Sequence, residues 1–171
     1  MSAMHFPALP PAQRRHSSGG DRVPDTIDDV LRRARDRIAR WSPQEALSRH
    51  RQGARFIDIR PYHQRLDEGE IPGSLIIERN VLEWRLDPTS PHRIPHARSH
   101  RSEFIIVCSQ GYTSSLAAAA LLDIGLTRSG DLIGGMRGWI DQGLPHRVGG
   151  TAAGGRVPGA LDWLWDRTGQ P

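Results

Sequence analysis

Between residues 25 and 147, short apolar runs alternate with stripes of helical period. Ile27, Val30, Leu31, Ala34 and Ile38 recur at helical spacing and predict an amphipathic helix over 26–40. Its polar face carries Asp28–Arg32, Asp29–Arg33 and Asp36–Arg40 at i,i+4 with the acid N-terminal, the favourable order. Ser42, Pro43 and Glu45 have the pattern of a capping box and predict a second helix, ended by Gly53. RFIDIR (55–60), SLIIE (74–78), FIIV (104–107) and DLI (131–133) are short, mostly β-branched runs and read as strands. The unbroken apolar run FIIV predicts a strand covered on both faces. Residues 62–68 read as a short polar helix or turn, and Asn80 as the cap of a short helix through Trp84. SSLAAAALLDIG (114–125) reads as a helix stopped by Gly125, and MRGWIDQG as a short helix around Trp139. Residues 87–103, interrupted by Pro88, Pro91 and Pro95, read as a polar loop. Strands alternating with helices at this spacing predict the α/β class: a single parallel sheet of about five strands with helices on both faces.

A chain of 171 residues suffices for one domain with a hydrophobic core, placed here at 25–147. Residues 1–24, rich in Pro, Ser and Gly, read as a disordered tail; Arg14 and Arg15 without a preceding acid give only a faint likeness to an organellar transit peptide. Residues 148–171 read as a Gly-rich linker and tail whose Trp163 and Trp165 are expected to pack back on the domain. No apolar run approaches the roughly 20 residues that span a bilayer, so no membrane partner is expected. The single cysteine excludes an internal disulfide framework and fits a reducing, cytoplasmic setting. All 23 basic residues are Arg, and the net charge of +4 attracts small anions mildly. Arg clusters are not interleaved with aromatic platforms, which speaks against nucleic acid. His92, His96 and His100 recur every four residues, but Pro91 and Pro95 break any helix that would align them and no acid or Cys completes a ligand set. Neither metal nor cofactor is expected.

Cys108 follows FIIV directly and precedes a helix start, which puts it at the carboxyl end of a strand, where α/β sheets bind ligands. A free cysteine there is either packing or a nucleophile; the small, polar, Gly-bearing turn after it favours the nucleophile. A thiol of pKa about 8.5 is only about 3% thiolate at pH 7, and a helix dipole lowers it by roughly one unit or less. With no His or Lys beside Cys108, several loop amides are needed to favour the thiolate. A cysteine phosphatase requires Arg six residues after the Cys to bind phosphate bidentately; Ser114 stands there, and no Arg occurs between 109 and 127.

FIDIRPYHQRLDEGEIPGSLIIE resembles the N-terminal motif of rhodanese domains, an Asp-x-Arg at a strand end followed by a Gly-x-Ile-Pro-Gly turn. FIIVCSQGYTSSLAAAALLDIG resembles their active-site strand, six-residue loop and helix, and DLIGGMRGWIDQGLP their closing strand, Gly-Gly turn and Trp-bearing helix. The motifs span about residues 42–146 in the family's order. The resemblance implies a single-domain rhodanese-like sulfurtransferase. Cys108 would take a sulfane sulfur from a small anionic donor, thiosulfate or a persulfide or polysulfide, and pass it to a thiol, a protein thiol included, or to cyanide. On that mapping the amides of Ser109, Gln110, Gly111, Tyr112, Thr113 and Ser114 cradle the terminal sulfur, while Asp58 and Arg60 hold the scaffold and pocket wall. Two departures stand out. The loop carries no cation, which many thiosulfate-using relatives have; Arg60 or Arg137 is the expected substitute. Arg65 stands where many relatives have Glu, with an expected effect on surface pairing. A non-catalytic rhodanese-like binding module is the competing class, and the retained Cys108 with its full-length loop speaks against it.

Overall fold

The computed structural model describes residues 25–156. Five parallel strands form one sheet in the order β1-β5-β4-β2-β3: β1 (Ala39–Trp41), β2 (Arg55–Asp58), β3 (Leu75–Ile76), β4 (Phe104–Val107) and β5 (Gly130–Leu132). The helices are α1 (Ile27–Arg35), α2 (Pro43–Arg51), α3 (Tyr62–Glu68), α4 (Leu82–Leu86), α5 (Thr113–Asp123) and α6 (Gly135–Asp141). The central strand β4 is buried throughout, and its alternation splits the core into two halves. Phe104, Ile106 and Cys108 join Leu82 and Leu86 of α4 and Ala117, Ala118 and Leu121 of α5. Ile105 and Val107 join Trp41, Phe56, Met136 and Trp139 under α2 and α6. Trp139 meets Phe56 edge-on at 5.2 Å, and its indole N–H donates to the Pro145 carbonyl at 2.8 Å.

The capping box of α2 forms as the sequence predicts, with Ser42 and Glu45 exchanging side-chain-to-backbone bonds. Thr26 and Asp29 make a second one at the start of α1, and the Thr26 bonds with the Arg32 contact lower the Asp29 carboxyl to about 2. The predicted helix 26–40 is shorter than its apolar stripe. It stops at Arg35, and Ala39–Trp41 leaves to pair with β5 as an edge strand. Ile38 still packs on the core, so the helical period continued through a residue buried by a strand entry. The expected Asp36–Arg40 pair is absent because Arg40 turns to Asp131 instead; Asp29–Arg32 and Arg33–Asp25 replace the other two i,i+4 pairs. Asn80 caps nothing: it lies inside a single 3₁₀ turn, Arg79–Val81, which leads into α4 without a side-chain cap. The loop 87–103 is anchored, since Ile94 and Ala97 are buried and the Ile94 amide donates to Arg85. His92, His96 and His100 lie in that loop and not on a helix.

Arg65 corrects the surface expectation. Its residue is 1% exposed, and its guanidinium meets Glu70, the Arg60 carbonyl and the Thr151 carbonyl. Residues 148–156, expected as the start of a linker, follow Arg147 along the sheet edge. Arg147 bridges Glu70, Arg156 bridges Leu75, and Gly154 and Gly155 exchange backbone bonds with Ile76. The proposed tail 1–24 and the Trp163–Trp165 segment lie outside the described residues. Among the described residues no helix is long and apolar enough to cross a membrane.

Burial alone would raise the Glu70 carboxyl, but bonds from Thr151, Arg65 and the Gly150 amide outweigh it and hold it below the usual range of a glutamate. A depressed carboxyl stabilises the fold fully above its unfolded pKa and loses that contribution as pH falls through the folded value. Urea denaturation from about pH 6 down to about pH 3 should therefore show a smaller loss of stability in Glu70→Gln than in the wild type. Equal pH dependence in the two proteins would contradict this assignment.

Candidate active site

Cys108 closes β4 with its Sγ on the α5 side and 8% of the residue exposed. The amides of Gly111 and Ser114 donate to Sγ at 3.2 and 3.4 Å, and Ser114 Oγ lies 3.2 Å away. What orients these amides is the start of α6. The Met136 amide donates to the Cys108 carbonyl at 2.8 Å and the Arg137 amide to the Ser109 carbonyl at 3.0 Å. With those carbonyls turned toward α6, the next peptides can present their N–H groups to the sulfur. The contact needs glycine on both sides. Gly111 has φ +76°, and a Cβ there would lie 2.9 Å from the Gly134 nitrogen; a Cβ on Gly135, at φ +59°, would overlap the Cys108 carbonyl oxygen.

The outer rim is anionic at its centre. Ser109 Oγ donates to Glu68 Oε1, Arg60 Nη1 donates to Glu68 Oε2 at 3.0 Å, and Arg137 Nε lies 3.5 Å from Oε1. Partial burial would raise the Glu68 carboxyl, but the bonds from Ser109 and Arg60 outweigh it and depress it. Arg60 is 1% exposed and makes four side-chain bonds, two to Asp58 and one each to Glu68 and the Gly69 carbonyl. Burial would lower the Arg60 pKa, but the bonds and charges of Asp58 and Glu68 raise it. Arg137 is exposed; Gln110, Tyr112 and Thr113 face outward, with Arg35 stacked 5.2 Å from the Tyr112 ring centroid.

Beneath the loop lies a fully buried acid. Asp131 of β5 accepts from Ser115 Oγ at 2.7 Å and Ser114 Oγ at 3.2 Å, and pairs with Arg40 Nε at 2.8 Å. Arg35 Nη2 donates to the Gly111 carbonyl at 2.8 Å, which ties the loop to the end of α1.

The family model of the rhodanese-like domain matches residues 42–142. The chain belongs to the rhodanese-like domain family. A Rhodopseudomonas palustris protein of unknown function, named as a possible tyrosine phosphatase, superposes with a TM-score of 0.66 at 29% identity, covering 76% of this chain and 100% of that one. The polysulfide-sulfur transferase homodimer of Wolinella succinogenes gives 0.58 at 20% identity over 71% and 86% of the two chains. Thiosulfate sulfurtransferase of Pseudomonas aeruginosa gives 0.55 at 19% identity over 69% of this chain and 21% of that one, so the match spans about a fifth of that enzyme. No curated protein matches the chain. The last two likenesses establish the rhodanese-like fold.

Of the loop residues predicted to cradle sulfur, the structure brings Gly111 and Ser114 onto Sγ. Ser109, Gln110, Tyr112 and Thr113 line the rim without bonding it. Arg137 stands at the rim, and Arg60 lies behind Glu68. Sequence reasoning missed Glu68, Ser115, Asp131, Arg35 and Arg40. The one available signal was the acid inside the apolar run DLI, since a buried carboxylate requires partners.

The Gly135 contact makes a direct prediction. Gly135→Ala should lose about 1–3 kcal/mol of stability in urea denaturation and alter the alkylation rate of Cys108. Gly53→Ala, at φ +115° with nothing within 4 Å, should carry backbone strain alone and leave that rate unchanged.

Proposed function

We propose that the protein is a rhodanese-type sulfurtransferase working through a persulfide on Cys108. The observation that carries this reading is the pair of amides, Gly111 and Ser114, aimed at Sγ at the carboxyl end of β4. Preorganised N–H donors of this kind stabilise a sulfur anion, whether thiolate or persulfide. In the loading step the Cys108 thiolate attacks the outer sulfur of the donor. A new S–S bond forms to Cys108, the donor's S–S bond breaks, and the leaving group departs with the electron pair, as sulfite from thiosulfate or a thiolate from a persulfide. An acceptor thiolate or cyanide then attacks the terminal sulfur and releases the Cys108 thiolate, with no outside oxidant or reductant. One cysteine suffices for this cycle. Phosphoryl transfer is disfavoured because Ser114 offers a neutral hydroxyl where a phosphate-binding guanidinium is needed.

Incubation with thiosulfate or an organic persulfide, followed by intact-mass measurement, should add the mass of one sulfur atom to the wild type and nothing to Cys108→Ser. A folded wild type with reactive Cys108 that takes sulfur from no donor would shift the reading to a binding module. With thiosulfate as donor, Arg137→Ala should raise KM several-fold with little change in kcat, since Arg137 is the exposed cation at the rim. An unchanged KM would remove Arg137 from donor binding.

A further inference from the structure

We propose that Asp131, acting through the Ser114 hydroxyl, holds Cys108 as a thiol and so brakes its ionisation. Asp131 is on this view a positioning residue, and Arg40 sets the strength of the brake. The inference rests on the reading of Cys108 as the nucleophile.

Ser114 Oγ lies 3.2 Å from Cys108 Sγ and 3.2 Å from Asp131 Oδ2. The hydroxyl owns one proton and a carboxylate can only accept, so the hydroxyl proton goes to Asp131. The side of the oxygen that faces the sulfur is then a lone pair, and only S–H can meet it. To stabilise a thiolate the hydroxyl must rotate and give up its bond to Asp131. Asp131 would then keep Ser115 Oγ at 2.7 Å and Arg40 Nε at 2.8 Å, so both hydroxyl positions are accessible. The carboxylate, one hydroxyl away, also repels a sulfur anion in surroundings that screen weakly. Both effects oppose the Gly111 and Ser114 amides. The proton released on ionisation passes to water, and no bond between heavy atoms changes.

The other charges around the loop are Arg35 at the end of α1, Glu68 from α3, Arg137 from α6 and the Asp58–Arg60 pair at the end of β2. Of these, Arg35 touches the network at Ser115 Oγ, 3.3 Å away. The first turn of α5 carries no charge. Arg35 and Arg40 both precede residue 42, where the family match begins, so this chain tunes the loop with a segment outside that match.

The pH dependence of Cys108 alkylation by iodoacetamide, without any sulfur donor, tests this. Asp131→Asn should lower the midpoint by about one pH unit, equal to about tenfold more thiolate below both midpoints. Arg40→Gln, changed at the partly exposed end of the network, should raise the midpoint. In a Ser114→Ala background the Asp131→Asn shift should shrink to less than half. An unchanged or raised midpoint in Asp131→Asn overturns the proposal. So does a shift of equal size with and without the Ser114 hydroxyl, which would mean that Asp131 acts by charge alone. Should Asp131→Asn fail to fold, Arg40→Gln decides, and a midpoint left in place or lowered overturns the proposal. Alkylation does not require sulfur loading, so this outcome and that of the sulfurtransferase test are read separately.

Discussion

The constraint on which the site depends is the direction of the peptide groups after Cys108. Each peptide offers a carbonyl on one side and an N–H on the other, and a loop free in solution would scatter them. Here the first two amides of α6 past Gly135 take the Cys108 and Ser109 carbonyls, and Arg35 takes that of Gly111. With these bonds fixing the course of the loop backbone, the N–H groups of Gly111 and Ser114 face the sulfur. The geometry requires the loop backbone to lie against the Gly134–Gly135 turn closer than a side chain permits. The parallel sheet supplies the platform, since β4 and β5 are adjacent and end at the same edge.

A second set of forces arranges the rim, and it explains the odd Arg65. Two buried arginines near the turn take different acids. Arg60 holds Asp58 and Glu68, and Arg65 holds Glu70, which in turn fastens Thr151 of the edge segment. A buried ion pair gives little net stability against an apolar alternative, but losing one partner strands the other and costs about 3–5 kcal/mol. The arrangement thus acts mainly by fixing geometry. It leaves Glu68 as a carboxylate on the Ser109 hydroxyl, next to Cys108. At this rim Arg137 already faces an anion, unlike a loop that carries its own free cation.

Much of this was legible in the sequence where periodicity and turn chemistry agree. FIIV, the Ser42–Glu45 capping box, the Ala-rich α5 and its Gly125 stop each announce themselves locally, and the position of Cys108 follows from its neighbours. The edge strand β1 was not legible. Ala39-Arg40-Trp41 is too short to show a period of two, and it continues an apolar helical stripe; its strand identity comes from pairing with Gly130, a contact some 90 residues away in sequence that tolerates no Cβ. The charged networks were hidden for a related reason. Arg65 lies five residues from Glu70, yet its burial depends on residues 147–156 closing over it. Arg40 finds Asp131 only because β1 and β5 are neighbours. Helical i,i+4 spacing assigned Arg40 to Asp36, a local pairing that tertiary structure replaced.

The position six residues after the cysteine shows how one side chain divides two chemistries on one scaffold. An arginine there would present a fork of N–H groups to an oxyanion and draw the site toward phosphate. Serine instead leaves a hydroxyl that can donate or accept, and its choice is set by what lies behind it. In this chain that is a carboxylate, already held by Ser115 and Arg40. Cys108 Sγ therefore sits between two amide donors and a hydroxyl bonded to the carboxylate. Reactivity at such a sulfur is governed by the balance of donors and not by a neighbouring base. Arg40, two strands away from β4 and absent from every loop motif, thereby comes within two side chains, Asp131 and Ser114, of the one cysteine of the protein.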